Sequence, residues 1–224
     1  MRDMVTVAAT SSEGMSAAEL DALISRLPEA ERMRAAGMRL EARRRAFVLG
    51  RALLRSAVAP LGGVSPDAVV VRIEPSGRPV LAGSLSDLFV SIAHSGSYVV
   101  VAVATRPVGV DVERVRQLAR FSQVAARVCS PDELRELAAM GAADRERAFM
   151  TVWSRKEAYG KAIGRGIAFP LRSVTVGMSG STISGATGDW HPADVDVDPR
   201  YTAAVVAHGP DWRVQLDRVE RQTL

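Results

Sequence analysis

The spacing of apolar positions changes along the chain, and each change marks an element. Residues 4–9 read as a short strand. Ser16-Ala17-Ala18-Glu19 is a capping box that opens a helix toward Leu27. Pro28 begins a second, arginine-bearing helical stretch. Over 38–59, Leu40, Phe47, Leu49, Leu53, Leu54 and Val58 predict a long helix closed by Pro60 and Gly62-Gly63. Strands are predicted at 68–73, 79–81, 89–93, 98–104 and 108–113, with a turn at His94-Ser95-Gly96-Ser97. Helices follow near 117–128 and 131–140, then a long one over 144–163 that ends at Gly164 and Gly166. Strands at 173–177, 195–197, 202–207 and 214–219 complete the series. Helices and strands in uneven runs predict an α+β fold, not a doubly wound parallel sheet.

An internal echo refines that reading. Arg45-Ala46-Phe47 recurs as Arg147-Ala148-Phe149, and Leu61-Gly62 as Ile163-Gly164, both at an offset of 102 residues. Tyr98 and the strand it opens have a counterpart at Tyr201. These repeats predict two similar α/β halves, 1–107 and 108–224, packed against each other with a cleft between them.

A hydrophobic content of 47% in 24.0 kDa supplies a real core, enough for one large domain or two small ones. The single cysteine, Cys129, excludes an internal disulfide framework and suits a reducing compartment. It reads as a small packed residue. No CxxC, Cys/His zinc pattern or GxSxG elbow occurs. No apolar run approaches the ~18 residues of a membrane span, and the N-terminus does not read as a signal peptide. The expectation is a soluble, cytoplasmic monomer.

Net charge is +4 and the pI about 9.8, so an anionic partner is plausible. Arg32, Arg34, Arg39, Arg43, Arg44, Arg45, Arg51 and Arg55 crowd one segment. That segment is either a solvated helix face or a surface for a phosphate-bearing small molecule, an acidic protein or nucleic acid. Nucleic acid is disfavoured, because no aromatic residues interleave with the basic ones.

Against this arginine bias, only two lysines occur, Lys156 and Lys161. A lysine kept in such a chain suits a task needing a compact ammonium. On a helix Trp153, Glu157 and Lys161 share a face, either as an ordinary surface pair or as part of a site. In Gly109-Val110-Asp111-Val112-Glu113, strand alternation buries the valines and sends Asp111 and Glu113 to the other face, about 7 Å apart. They are either solvated acids at a strand end or oxygen ligands for Mg²⁺, with Glu157 as a third. His94, beside Ser95, is either structural or a donor to phosphate. Together the pieces have the logic of phosphoryl-type transfer: a metal, a polyphosphate and a lysine for the leaving group.

The pairing of G-V-D-V-E with W-S-R-K-E-A-Y-G-K about 40 residues later resembles the double signature of 4′-phosphopantetheinyl transferases. Its Trp-x-x-Lys-Glu-Ala spelling is that of the Sfp-type (surfactin-type) branch. The likeness extends to the Gly77-Arg78-Pro79 turn, the hairpin at 92–96 and the helix ending Gly50-Arg51-Ala52-Leu53-Leu54-Arg55, spanning about residues 28–207. It implies a pseudo-twofold α+β fold acting as one integrated catalytic unit, which matches the echo. It also implies transfer of the phosphopantetheine arm of coenzyme A to a serine of an apo acyl- or peptidyl-carrier protein, in fatty-acid, polyketide or nonribosomal-peptide synthesis, releasing adenosine 3′,5′-bisphosphate.

By that resemblance Asp111, Glu113 and Glu157 hold Mg²⁺ (or Mn²⁺), and Asp111 lies against the coenzyme A pyrophosphate. Glu157 is the base for the carrier serine and Lys161 stabilises the departing phosphate. His94 and Ser95 contact coenzyme A, Arg78 its adenine-nucleotide end, and Arg45, Arg51 and Arg32 are candidates for the 3′-phosphate. Lys156 has either a pyrophosphate or a structural role. Two departures stand out. Ala93 replaces a serine common in the family, and Ala30 and Met33 stand where some relatives have lysines. The candidate surface for the carrier is the stretch 114–140, where Val115, Leu118, Phe121, Val124 and Val128 recur between Arg116, Arg120 and Arg127; the stripe is either core or interface. The competing reading is a non-catalytic coenzyme A-binding protein on the same fold.

Overall fold

Val99, Val101 and Val103 point to one side of a strand and Val100, Ala102 and Ala104 to the other, and all six are buried. A strand apolar on both faces needs cover on both. The computed structural model, which describes residues 4–224, supplies it in layers. The elements are β1 (Met4–Ser11), α1 (Ala17–Ser25), α2 (Glu29–Ala36), α3 (Glu41–Gly62), β2 (Val71–Ile73), β3 (Pro79–Leu81), β4 (Phe89–Ser95) and β5 (Tyr98–Ala104). They continue with β6 (Val108–Arg114), α4 (Phe121–Val128), α5 (Pro131–Ala139), α6 (Ala142–Ala162), β7 (Trp190–Asp194), β8 (Tyr201–His208) and β9 (Arg213–Arg218).

One sheet has the order β4-β5-β1-β9 and another β6-β8-β7, with β2 and β3 as a separate pair. α3 covers the first sheet through Val48, Leu49, Leu53 and Leu54. The inner faces of the two sheets meet through Val5, Val7, Val100, Val110, Val112 and Val205. α6 covers the far side through Phe149, Val152, Ala158 and Ala162. The result is helix, sheet, sheet, helix.

The echo in the sequence is a repeat of topology. In each half a strand (β1 or β6) leads through helices to a long helix (α3 or α6) and then to an antiparallel hairpin (β4-β5 or β7-β8). The hairpin's second strand pairs antiparallel with the first strand of its half. The equivalent residues Tyr98 and Tyr201 touch, ring centroids 4.6 Å apart, as residues beside an approximate twofold must. β9 then crosses over to pair in parallel with β1, so the last strand completes the first sheet.

Several expected elements differ. α3 begins at Glu41, contains Pro60 in its last turn, and is closed by Gly63 at φ 62. The segment expected as strand 68–73 opens with a 3₁₀ turn, Pro66–Ala68, and only Val71–Ile73 is extended. β4 continues through His94 and Ser95, so the hairpin turn is Gly96-Ser97, with Gly96 at φ 54. α4 starts at Phe121, not near 117; Val115, just past the end of β6, still donates its N–H to Arg200 O at 2.9 Å.

The predicted strand at 173–177 has one isolated bridge, Thr175 to Ser184. Its neighbouring backbone groups go to buried charged side chains: Val176 N–H to Glu133, Val174 O to Lys156 and Gly177 O to Arg155. The strand expected at 195–197 lies instead at Trp190–Asp194, where Pro192 and polar neighbours hide the alternation. Val195 and Val197 are buried, but in a tight turn with Val197 N–H on Val195 O.

Candidate active site

β6 lies directly on α6 because Gly109 has no side chain. A Cβ there would stand 2.0 Å from Ala158 O and 2.5 Å from Ala162 N. Two residues on, Asp111 points the same way and is buried. Lys161, in the last turn of α6, donates to Asp111 Oδ1 at 2.7 Å and to Val110 O at 3.1 Å. Glu157, one helical turn earlier, is half-buried beside them. Glu113 follows Asp111 on the same strand face.

The edge strands β4 and β6 belong to different sheets, and serine side chains bridge them. Ser91 Oγ accepts from Val110 N–H at 3.1 Å and Ser95 Oγ from Arg114 N–H at 3.2 Å. Ser95 Oγ donates in turn to Glu113 Oε2 at 2.9 Å. The bridging positions alternate along β4, and Ala93 between them is buried in the inter-sheet core. The hydroxyl missing at that position is therefore missing from the seam between the halves.

Burial raises all three carboxyl groups. Asp111 is pushed up by desolvation, against the pull of Lys161. Desolvation and then the charge of Asp111 lift Glu113 to about 7, and the same two causes raise Glu157. Ionised together, three acids would face one ammonium, a balance that calls for a further cation. Asp111 Oδ2 is buried without a hydrogen-bond partner. The donors are all carboxylate oxygens, the kind a hard divalent cation takes, so the set fits Mg²⁺ in chemistry. Lys161 holds one oxygen of Asp111 and Ser95 one of Glu113. Among the described residues no three Asp, Glu, His or Cys side chains are gathered closely enough to grip an ion as they stand.

Two hollows adjoin this cluster. One, about 150 Å³, lies between Arg78, Ser91, Lys161, Gly164 and Gly166. The other, about 450 Å³, is lined by Arg34, Arg43, Phe47, Arg51, Gly77 and His94. They share Gly77, Pro79 and Ile92. Arg34 and Arg51 flank the Phe47 ring, 5.2 and 5.3 Å from its centroid. Arg51 is buried and paired with Glu31 at 3.4 Å, but its Nε and Nη1 have no hydrogen-bond partner. His94 reaches solvent, yet it is held below the ordinary imidazole range by its apolar surroundings and then by Lys161 and Arg43. A neutral imidazole keeps one donor and one acceptor here.

The larger hollow, arginine-lined and joined through Gly77, Pro79 and Ile92 to the smaller one that Lys161 lines, suits a phosphorylated ligand. A sequence profile described as the 4′-phosphopantetheinyl transferase superfamily matches residues 107–206, and one described as 4′-phosphopantetheinyl transferase, N-terminal, matches residues 15–106. The chain is 31% identical to a 4′-phosphopantetheinyl transferase of Bacillus subtilis over 181 residues, 79% of this chain and 78% of that protein. The chain belongs to the 4′-phosphopantetheinyl transferase family. Similarity to 4′-phosphopantetheinyl transferase psf-1 of Bacillus pumilus is also 31%, covering 76% of this chain and 73% of that one. To 4′-phosphopantetheinyl transferase HetI of Nostoc it is 29%, over 87% and 84%.

In this transferase the predicted site residues do not all converge. Asp111, Glu113, Glu157 and Lys161 form one cluster, and Arg51, Arg78 and His94 line the hollows beside it. Arg45 does not. It is bound to Glu41 and to Met15 O, and turns away from the larger hollow. Arg32 is likewise spent on Leu27 O at 2.7 Å. Ser95 is committed to Glu113 and Arg114. Of the two roles open for Lys156, the geometry supports the structural one: its side chain is 0% exposed and ion-paired with Glu133. Arg34, Arg43 and Phe47 were missed as lining residues. Helical spacing places Arg43, Phe47 and Gly50 on one face, a signal present in the sequence.

Proposed function

We propose that the protein transfers the 4′-phosphopantetheine arm of coenzyme A to a serine hydroxyl of an apo acyl- or peptidyl-carrier protein. The observation that carries this is the Asp111–Glu113–Glu157–Lys161 cluster, whose Lys161 lines a small hollow with Arg78; that hollow shares Gly77, Pro79 and Ile92 with a larger one lined by Arg34, Arg43, Arg51 and His94. The serine Oγ forms a bond to the phosphorus bearing pantetheine. The P–O bond to the nucleotide phosphate breaks, and adenosine 3′,5′-bisphosphate leaves with the electron pair.

Glu157 takes the serine proton. A serine hydroxyl needs such a base at neutral pH. Lys161 has three protons and gives two to Asp111 and Val110, which leaves one donor for the departing phosphate. Asp111, Glu113 and Glu157 would hold Mg²⁺ or Mn²⁺, which when bound neutralises pyrophosphate charge. Arg43 and Arg51 take the nucleotide phosphates with His94, and Arg78 lies at the adenine-nucleotide end.

The carrier would dock beside the cleft on Leu118, Phe121 and Val124, which are half-buried against the α6 core, between exposed Arg116, Arg120 and Arg127. Basic residues there steer an acidic partner. No helix among the described residues is long and apolar enough to cross a membrane. The two halves, 1–107 and 108–224, act as one unit, monomeric and cytoplasmic.

The test is incubation with coenzyme A, Mg²⁺ and several apo-carriers, with a gain of about 340 Da per carrier expected by mass spectrometry. No gain on any carrier overturns the proposal and leaves coenzyme A binding alone. Glu157→Gln should keep coenzyme A binding by calorimetry and lose turnover by about 10²–10⁴-fold.

A further inference from the structure

Lys156 and Glu133 are both 0% exposed, and their Nζ and Oε2 atoms stand 2.6 Å apart. Lys156 Nζ also reaches Val174 O at 2.6 Å, Val128 O at 2.9 Å and Leu171 O at 3.0 Å. Glu133 Oε2 accepts from Ser130 N–H at 2.8 Å, and its Oε1 accepts from Val176 N–H at 2.8 Å. The neighbouring Arg155 pairs with Asp194 and donates to Gly177 O at 2.8 Å. Burying two charges costs desolvation that an apolar pair of the same volume would avoid, so packing alone does not explain the pair. Lys156 donates to Leu171 O and Val174 O and Glu133 accepts from Val176 N–H, so most of the pair's hydrogen bonds go to one stretch, 171–177, which forms no ladder with either main sheet.

That stretch continues the turn that closes α6. Gly164 N–H donates to Lys161 O at 3.0 Å, and Arg165 N–H to Gly160 O at 3.0 Å. Phe169 packs edge-on against Tyr159, centroids 5.1 Å apart. Gly164 and Gly166 then form the wall of the smaller hollow beside Lys161 and across from Arg78. We propose that Lys156 and Glu133 are positioning residues: by anchoring 171–177 they set the 164–166 wall against which coenzyme A is held. This rests on the coenzyme A-dependent transfer proposed above. A lysine suits the position because its compact ammonium can share three donors among the four oxygens around one point, which a planar guanidinium cannot.

The test is the double variant Lys156→Met/Glu133→Gln, which removes both charges and keeps one acceptor oxygen, for Val176 N–H or Ser130 N–H but not both. Well below its unfolding temperature, KM for coenzyme A should rise about tenfold or more, the scale of a loosened supporting shell. KM for the apo-carrier and kcat should stay within about twofold, a split that general destabilisation does not produce. Lys156→Arg should not restore it. A folded double variant with wild-type KM for coenzyme A overturns the proposal. Calorimetric titration with coenzyme A separates the two readings. A wild type that binds but transfers nothing refutes the activity and leaves positioning to be read as Kd, whereas one that neither binds nor transfers refutes both. If the double variant does not fold, Phe169→Leu, which loosens the same segment from Tyr159, must show the same split, and a wild-type KM there is refuting.

Discussion

Gly109→Ala tests the link between packing and chemistry at one atom. The new methyl would lie 2.0 Å from Ala158 O and 2.5 Å from Ala162 N, both backbone atoms inside α6. Reaching an ordinary contact of about 3.4 Å requires β6 and α6 to separate locally by roughly 1.4 Å, the difference from 2.0 Å. No flexible side chain is available to absorb the shift, and overpacking of this kind costs about 1–3 kcal/mol, sometimes more. The same separation carries Asp111 on β6 away from Lys161 on α6, now 2.7 Å apart. A misplacement of about 1 Å is worth roughly 10² in rate. Urea unfolding should therefore show a lower midpoint at unchanged slope, and kcat on an apo-carrier should fall about a hundredfold in the folded variant. Gly37→Ala is the control. Its Cβ would meet only ordinary 3.7 Å contacts, so both quantities should stay near wild type. Wild-type turnover in a folded Gly109→Ala protein would refute the claim that strand–helix spacing sets the site.

Lys161→Arg keeps the charge but loses the compact ammonium that reaches Asp111 and Val110; kcat should fall by about tenfold or more with coenzyme A affinity nearly kept, and unchanged kcat is the contrary result. Arg43→Ala should raise KM for coenzyme A, whereas Arg45→Ala, whose side chain is bound to Glu41 and Met15 O, should leave it unchanged; steady-state kinetics with varied coenzyme A decides. Asp198 is held down at about 2, first by its hydrogen bond from Arg200, below an ordinary 3.8. The stabilisation is thus present above about pH 4 and is lost as pH falls through about 2. The Tm gap between wild type and Asp198→Asn should narrow over that interval, and a constant gap would contradict it.

Much of the fold was legible because it is written in local terms. The Ser16 capping box, the α3 face and the valine-rich β5 each depend on neighbours within a turn or two, where periodicity speaks directly. The repeat at an offset of 102 residues was legible too, and it became a repeated topology. β7 was missed because Pro192 and polar residues break the alternation, and its strand state comes from pairing with β8. The segment 173–177 has strand-like composition, but buried side chains from α5 and α6 take its backbone groups before a ladder forms.

The same boundary runs through the site. From sequence alone came the residue types of the chemistry, Asp111, Glu113, Glu157 and Lys161, because strand alternation and helical spacing put each pair on one face. Only the tertiary structure decided between equals. Helical geometry turns Arg43 and Arg45 to different faces, but only the packed layers show that the face of Arg43 lines the hollow while Arg45 meets Glu41 and Met15 O. Of two lysines five residues apart, one reaches Asp111 and the other is sealed with Glu133. The physical reason is that a helix assigns a side chain its direction, while its partner is whatever the opposing layer brings there. Here that layer is β6 for Lys161, and α5 with the 171–177 stretch for Lys156.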